Sequence, residues 1–368
     1  MSVDQHPHLK PRLRLFLSVD IVGSTALKQS PVEEDKLTGR SAWFQKIQGF
    51  YFEAQKEFLE RFKEGAKDSN PELYGPLPKV WKTIGDEILF YKELTDHRQL
   101  VTTLRHWMGA MDELRTFIQK GTPRLDIKCT AWLAGFPFKN AEIVIDTEAS
   151  TLTLASEDWN RDGNRALELY YASGEAGKGL VIDFIGPSID IGFRLQRFST
   201  SRKFIVSVGI SYILSLANPE GDRDRVFNVY YEGSHELKGV FGGIKYPVFW
   251  LDMSDAHDIA IYEDRLTRIA PVNRDSLREY CKQFYATNGS HTFPPFIISD
   301  TEGQLIEKPV WYDNCLSEMV GDFDTGDEQV TGFDKGDEAA DATDPQVAEK
   351  MNEIINEFLH SMKKPNED

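Results

Sequence analysis

The chain has 368 residues, of which 40% are hydrophobic and 12% aromatic, and its formal net charge is −17. The length suits one large domain with additions or two modest domains, and the acidic balance excludes nucleic acid as a polyanionic partner. Because the sequence contains neither a long apolar run that would span a membrane nor a secretory signal, we expect a cytoplasmic protein with no membrane contact.

The first third of the chain alternates apolar strands with amphipathic helices. Apolar runs of strand length predict strands over residues 13–19, 79–84, 87–92 and 125–133. Helix-like spacing of apolar residues predicts helices over residues 39–64 and 96–120. A turn at Gly85 and Asp86 joins the second and third of these strands into a hairpin. Strands that alternate with helices indicate a sheet with helices packed on it.

The next part of the chain repeats this alternation after an interruption. Residues 138–179 combine short strand-like pieces such as T-L-T-L-A with a polar turn at 159–163, and we interpret them as an insertion. Beyond it we expect a helix over 189–198 and strands over 204–208 and 247–251.

Three segments follow the last predicted strand. Residues 253–320 have the pattern of a helical and loop extension. Residues 321–344 hold nine acids against one lysine, without the ligand spacing of a calcium loop, which predicts a solvated acidic linker. Residues 345–368 carry an apolar stripe at helical spacing, which predicts a final amphipathic helix that docks on the body or on a partner.

Two aspartates stand where predicted strands end. Asp20 follows the first strand and Asp86 lies in the hairpin turn, and an unpaired carboxylate beside a buried run is costly. Alone, Asp20 is an ordinary helix N-cap and Asp86 an ordinary turn residue. Together they suit Mg²⁺, which accepts one or two carboxylates and completes its shell with phosphates and water. Backbone amides of Gly23, Ser24 and Thr25 could hold those phosphates at a helix start, so we predict a metal–triphosphate site.

The order of these motifs resembles that of class III nucleotidyl cyclase catalytic domains. D-I-V-G-S-T at 20–25 and K-T-I-G-D-E at 82–87 are similar to the two metal-binding motifs of that family. The family pattern D-x-x-G-x-x-x-N-x-x-x-R falls without a gap on Asp183, Gly186, Asp190 and Arg194, with aspartate at the usual asparagine position. The resemblance covers residues 10–252, and we assign a catalytic domain over 1–252 that contains the insertion at 138–179.

The resemblance implies an α+β fold with a ferredoxin-like βαββαβ core sheet. It also implies two divalent cations, Mg²⁺ or Mn²⁺, held by Asp20, the backbone carbonyl of Ile21, and Asp86. In the implied reaction the ribose 3′-hydroxyl of a nucleoside triphosphate attacks the α-phosphorus and pyrophosphate leaves. Arg194 would stabilise the transition state, and Asp190 would orient the ribose.

The remaining implied residues contact the substrate. Lys82 and Asp183 would recognise the base, and either Lys238 or Lys245 would meet the triphosphate. K-G spacing favours Lys238, whereas the distance to the last strand favours Lys245. In this family the metal aspartates of one site come from one subunit, and the base-recognising and transition-state residues come from the other, so we expect a homodimer with two composite sites.

The base itself is not decided by these residues. Lys82 only donates hydrogen bonds and ionised Asp183 only accepts them, which satisfies both adenine and uracil. Phe50 and Tyr51 could narrow the pocket to pyrimidine size, or could belong to the helix core. The wider organisation resembles the pyrimidine cyclases of bacterial Pycsar anti-phage systems, which implies conversion of UTP to 3′,5′-cyclic UMP that a separate effector detects. An adenylate cyclase, a cytidylate cyclase and an inactive nucleotide-sensing dimerisation module are the alternatives.

Overall fold

The computed structural model describes residues 7–29, 42–67, 69–147, 159–172, 179–217, 227–254, 259–298 and 303–330. The strands within these ranges are β1 Arg12–Val22, β2 Lys79–Ile84, β3 Glu87–Leu94, β4 Asp126–Phe136, β5 Ala141–Asp146, β6 Leu180–Ile185, β7 Lys203–Val206, β8 Val229–Glu236 and β9 Lys245–Asp252. The α-helices are α1 Ser24–Gln29, α2 Ala42–Lys67, α3 Arg98–Gln119, α4 Trp159–Ala172, α5 Pro187–Leu195, α6 Val208–Leu216, α7 Ile259–Thr267, α8 Arg274–Thr287 and α9 Tyr312–Val330.

Seven strands form one sheet in the order β2-β3-β1-β4-β7-β9-β8. Its first four strands lie in the order β2-β3-β1-β4, and each neighbouring pair among them is antiparallel. Because α2 connects β1 to β2 and α3 connects β3 to β4, this part is a ferredoxin-like βαββαβ unit. The predicted α+β fold with a ferredoxin-like core sheet is therefore confirmed.

Alternation along β1 gives this sheet two buried faces. Leu15, Leu17 and Val19 lie in one apolar cluster with residues of α2 and α3. Phe16 points to the opposite face, where it belongs to a second cluster and stacks on Trp132 of β4 with ring centroids 5.5 Å apart. A sheet that buries both faces needs the continuous apolar run seen in β1.

A two-stranded antiparallel sheet, β5–β6, packs on the second face. Arg14 of β1 lies 2.6 Å from Glu142 of β5 and donates to the hydroxyl of Tyr171 on α4 at 2.8 Å. Arg14 and Glu142 are almost fully buried, so removal of either would leave an uncompensated charge in the interior. This contact fastens β5 and α4 to the central strand of the large sheet.

Several predicted elements differ from the structure. The expected polar turn at 159–163 is wrong, because these residues begin helix α4. The prediction also omits helix α6 and strand β8. Nearly all of α6 is buried and its sequence is almost uniformly apolar, so the sequence shows no helical period. Strand β8, V-Y-Y-E-G-S-H-E, is an edge strand with mostly polar residues.

The C-terminal segments are described only in part. Helix α9 reaches Val330, so the first ten residues of the predicted linker at 321–344 are helical and that part of the prediction is wrong. The rest of that segment, the predicted helix over 345–368 and the T-L-T-L-A stretch lie outside the described residues. No helix in the described ranges is both long and apolar enough to cross a membrane.

Candidate active site

Asp20 lies near the end of β1, where its register partners are Glu87 on β3 and Lys128 on β4. The Asp20 Oδ2 atom is 2.9 Å from the Lys128 Nζ atom. Burial raises the pKa of the Asp20 carboxyl group, the Lys128 ammonium opposes this shift, and the Asp86 carboxylate adds to it. Asp20 is therefore partly dehydrated and close to a second carboxylate, a setting that favours cation binding.

Asp86 occupies the second position of the turn between β2 and β3. Gly85 before it has a φ of +65°, a conformation that favours glycine. The amide of Ile21 donates to the Asp86 carbonyl at 3.4 Å, which holds the turn against the end of β1. On its side chain, Oδ2 accepts from the Ser24 hydroxyl and Oδ1 lies 3.5 Å from Lys28 Nζ. The two predicted metal aspartates are thus neighbours, each with a lysine beside it.

Glu87 is a third carboxylate of this cluster and is missing from the predicted site. Its Oε1 accepts from the hydroxyl of Ser18 and from the side-chain amide of Gln196. Burial raises the pKa of Glu87, the bond from Ser18 opposes that shift, and Asp20 adds to it. A sequence signal existed, because Glu87 directly follows Asp86 and begins a strand that pairs with β1.

Lys128 is also missing from the predicted site. It is the only basic residue in β4, D-I-K-C-T-A-W-L-A-G-F, and alternation along that strand places it on the same face as Trp132. A basic residue within an otherwise largely apolar strand is a signal that a partner lies opposite it. The partner here is Asp20.

The donor set suits a hard divalent cation. Asp20 and Asp86 offer carboxylate oxygens, and Mg²⁺ commonly takes one or two of these with phosphates and water. No group of three or more His, Cys, Asp or Glu side chains arranged for a metal occurs in the described part of the chain. Lys128 and Lys28 lie beside Asp20 and Asp86 and partly neutralise the negative charge of these carboxylates, as a bound cation would. The Ile21 carbonyl stays a predicted ligand.

The segment predicted to hold phosphate starts the short helix α1. Gly23 has a φ of +88°, and Thr25 is exposed. Ser24 is only 4% exposed, and its hydroxyl is committed to Asp86. The Ser24 side chain therefore holds the Asp86 carboxylate in place. Contacts of the backbone amides of Gly23, Ser24 and Thr25 with phosphate stay a prediction.

The predicted base-recognising residues contact each other. Lys82 Nζ donates to both carboxylate oxygens of Asp183, at 2.8 and 3.0 Å. Trp81, which is missing from the predicted site, donates from Nε1 to Asp183 Oδ1 at 2.8 Å and places its ring 4.2 Å from Lys82 Nζ. A donor and an acceptor are thus held side by side on β2 and β6.

Helix α5 carries the predicted ribose and transition-state residues. Gly186 caps it with a φ of +128°, and a Cβ there would lie 2.7 Å from the Lys139 carbonyl oxygen, so this motif position requires glycine. Asp190 and Arg194 are exposed on the helix. Arg194 Nε donates to the Lys238 carbonyl at 3.0 Å, which brings these two predicted residues together.

The two lysine candidates differ in position. Lys238 is exposed and its backbone touches Arg194. Lys245 is exposed at the start of β9, opposite Glu236 of β8. The contact with Arg194 favours Lys238 as the triphosphate contact.

Phe50 and Tyr51, although adjacent on α2, lie in different surroundings. Phe50 is completely buried in the core between the sheet and its helices, so its predicted pocket role is wrong. Tyr51 is half-buried, and its hydroxyl donates to the Gly85 carbonyl beside Asp86. Burial raises the pKa of Tyr51, and the carboxylates of Asp86 and Asp20 raise it further. Tyr51 therefore supports the turn that carries Asp86.

Hydrogen bonds and ion pairs divide the predicted residues into two groups. Asp20 and Asp86 belong to one group, and Lys82 with Asp183 form the other. No hydrogen bond or ion pair between side chains of the two groups occurs within the described ranges. Arg194 bonds to neither group and contacts the backbone of Lys238.

No protein-family model matches the chain, and no curated protein matches it. Several solved structures resemble it. The adenylyl cyclase CyaB from P. aeruginosa matches with a TM-score of 0.44 and 10% identity, over 67% of this chain and 96% of that one. The guanylyl cyclase Cya2 matches with a TM-score of 0.40 and 12% identity, over 68% and 96%. The guanylate cyclase domain of RhGC from Catenaria anguillulae, solved with GTP, matches with a TM-score of 0.39 and 12% identity, over 66% and 97%. At these identities the similarity concerns the fold alone.

Proposed function

We propose that the chain is a nucleotidyl cyclase that converts UTP to 3′,5′-cyclic UMP and pyrophosphate and acts as a homodimer. The observation that carries the proposal is the position of Asp20 and Asp86. They are sixty-six residues apart in sequence, yet they meet at one end of β1 as neighbouring, partly buried carboxylates. Lys128 lies beside Asp20 and Lys28 beside Asp86, and two neighbouring carboxylates at one strand end also suit divalent cations.

Each residue of the cluster has a proposed task in the reaction. When Mg²⁺ or Mn²⁺ is bound at Asp20 and Asp86, it neutralises the triphosphate and lowers the pKa of the ribose 3′-hydroxyl. Ser24 orients the Asp86 carboxylate, and Lys128 holds the Asp20 carboxylate. Arg194 offsets the negative charge that develops on the α-phosphate as the 3′-oxygen attacks and pyrophosphate leaves.

The choice of UTP rests on base recognition and on the resemblance to the pyrimidine cyclases. Lys82 would donate to uracil O4, and Asp183 would accept from N3–H. The indole N–H of Trp81 and the Lys82 ammonium fix the orientation of Asp183. Adenine and cytosine present a donor next to an acceptor as well, so ATP and CTP are the competing substrates. By the same resemblance, the product would serve as a signal in anti-phage defence, detected by a separate cyclic-nucleotide effector.

The homodimer is supported by an exposed apolar surface next to Asp183. One face of the β5–β6 sheet presents four aliphatic side chains that are 39 to 49% exposed: Ile143, Ile145, Val181 and Ile185. Asp183 shares this face, because it pairs with Ile143 in the strand register. Exposed apolar clusters of this kind mark interaction surfaces. A second copy on this face would supply its Asp20 and Asp86 to the Lys82–Asp183 pair.

Incubation of the purified chain with Mn²⁺ and each of the four nucleoside triphosphates in turn tests the proposal. We expect cyclic UMP and pyrophosphate in equal amounts, identified by mass spectrometry, and no product from Asp20→Asn. Cyclic AMP or cyclic CMP as the main product would replace uridylate specificity with one of the alternatives. Nucleotide binding without turnover would indicate the inactive sensing module.

A further inference from the structure

A cavity lies at the far end of β1 from Asp20. Its volume is about 160 Å³, and its walls come from the start of β1, the end of β4, the first turns of α5 and α6, and residues 291–298. Arg12 on its wall and Asp20 are eight residues apart on one strand, a separation of roughly 26 Å. The cavity is therefore distinct from the candidate active site.

The charge around this cavity is mainly positive. The basic and acidic side chains among the described lining residues are Lys10, Arg12, Lys139, His291 and Glu93. Glu93, the one acid, lies 3.6 Å from Arg12 and 3.8 Å from Arg14, so its charge is already compensated. Lys139 donates to the carbonyl of Ser290 and forms no ion pair with a carboxylate in the described ranges. A positive charge at the cavity is thus left for an anion to compensate.

The start of helix α6 offers unused hydrogen-bonding groups to the same cavity. Ser207 is the N-cap residue, yet its hydroxyl makes no bond to the amides of Gly209 or Ile210, where an N-cap serine ordinarily bonds. Ser207 is only 4% exposed, and its Oγ has no partner among the described residues. The Tyr312 hydroxyl and the Trp132 indole N–H, on two further lining residues that are almost fully buried, are likewise unpartnered in this part of the chain.

The Ser207 hydroxyl at the α6 N-terminus, where the Val208 amide already donates to Tyr246, and the unpartnered Tyr312 and Trp132 donors of the lining favour a ligand with an acidic group. The N-terminal amides of a helix carry partial positive charge, and hydroxyl and indole donors add directional bonds to an acceptor. Buried polar groups are normally paired, so a ligand that accepts from them is stabilised. Burial lowers the pKa of Lys139, and an acidic ligand beside it would stabilise its positive charge.

The remaining lining is mostly apolar and contains several aromatic rings. Ring-bearing side chains of the lining include Phe136, Phe138, Tyr246, Tyr285, Phe293 and Phe296. A Cβ atom on Gly209 would lie 3.2 Å from the Tyr285 hydroxyl and 3.4 Å from Pro295. Because glycine has no Cβ atom, helix α6 can pack closely against these two lining residues. The volume is close to that of an apolar cavity of about 150 Å³ that holds benzene.

We propose that this cavity binds a small aromatic or heteroaromatic anion, with a six-membered ring and one carboxylate or phosphate group. The acidic group lies at the α6 N-terminus within reach of Lys139, and the ring lies among the aromatic side chains. Ser188 and Ile191 of α5 also line the cavity, and Arg194 follows Ile191 by one helical turn. An effect of the ligand on turnover rests on the proposed function, whereas binding itself does not.

Fluorine NMR on the full chain tests the binding directly. The probes are 4-fluorobenzoate, 4-fluorophenyl phosphate and the neutral control 4-fluorobenzyl alcohol. We expect saturable binding of at least one of the two acids at one site per chain, at least about ten-fold tighter than the alcohol. Lys139→Met should weaken binding of that acid about ten-fold or more, and Gly209→Ala should weaken it by narrowing the cavity. Lys63→Met, on an exposed face of α2, is the matched control and should bind as the wild type does.

Three outcomes would overturn the proposal. They are equal binding of the alcohol and the acids, no binding of any probe up to about 10 mM, and acid binding that survives both cavity variants. Circular dichroism of each variant establishes that the fold is retained, and Gly209→Ala should keep it because alanine favours a helix. A chain that binds the acid but makes no cyclic nucleotide would refute the proposed function and leave this proposal standing.

Discussion

Replacement of Arg194 by alanine should separate catalysis from folding. Arg194 is exposed, and its one hydrogen bond in the described ranges runs from Nε to the Lys238 carbonyl at 3.0 Å. Loss of such a surface contact should change the free energy of unfolding by less than about 0.5 kcal/mol. If the guanidinium stabilises charge only in the transition state, turnover should fall by about 10²–10³, or about 2.7–4 kcal/mol.

The assay is the steady-state rate of cyclic UMP formation, with kcat and KM measured separately. We expect kcat to fall while KM stays nearly unchanged, because the contact is absent from the ground state. Arg197→Ala is the matched control, since Arg197 is also exposed and donates to a backbone carbonyl, that of Glu236, at 2.7 Å. A loss below about three-fold for Arg194→Ala, or equal losses for both variants, would refute the assigned role.

Three further predictions address the metal site, the dimer and the core. Asp86→Asn should weaken Mn²⁺ binding, measured by electron paramagnetic resonance, at least about ten-fold, whereas Asp183→Asn should leave it unchanged. Asp86→Asn and Arg194→Ala should each retain at most about 1% of wild-type activity, and subunit exchange between them should restore about a quarter of it if sites are composite; no recovery would contradict this arrangement. Burial lowers the pKa of Lys92 from 10.5 to about 7, so between these values the unfolded chain binds more protons and stability rises with pH. Lys92→Met should therefore raise the free energy of unfolding near pH 7, measured by urea denaturation, by about a few kcal/mol. An equal gain above about pH 10.5, where the lysine is neutral in both states, would contradict this prediction.

The parts of the site that sequence could predict are those tied to local geometry. Asp20 and Asp86 were predictable because each follows an apolar strand-like run with a glycine within three residues, a pattern that indicates a turn and an unpaired carboxylate. Lys128 was harder to predict, because its role depends on the β1–β4 register, and pairing between strands distant in sequence is not written in either strand alone. Phe50 and Tyr51 show the same limit, since adjacent residues of one helix point to different surroundings.

The fold divides in a similar way. Elements with a clear period, such as β1, the β2–β3 hairpin and α3, were predicted within a few residues. Helix α6 was not, because burial on all sides removes the amphipathic period that identifies a helix. The cavity at the start of β1 could not be predicted from the sequence either, because its walls combine residues at the start of β1 with a segment nearly three hundred residues later.

The most direct test of the central claim is a competition among the four nucleoside triphosphates. The purified chain is incubated with Mn²⁺ and equimolar ATP, CTP, GTP and UTP, and the cyclic products are quantified together by mass spectrometry. Product ratios then report the ratios of kcat/KM. We expect cyclic UMP as the dominant product, at least about ten-fold above any other, and its loss in Asp20→Asn. A dominant purine product, or no cyclic nucleotide at all, would contradict it.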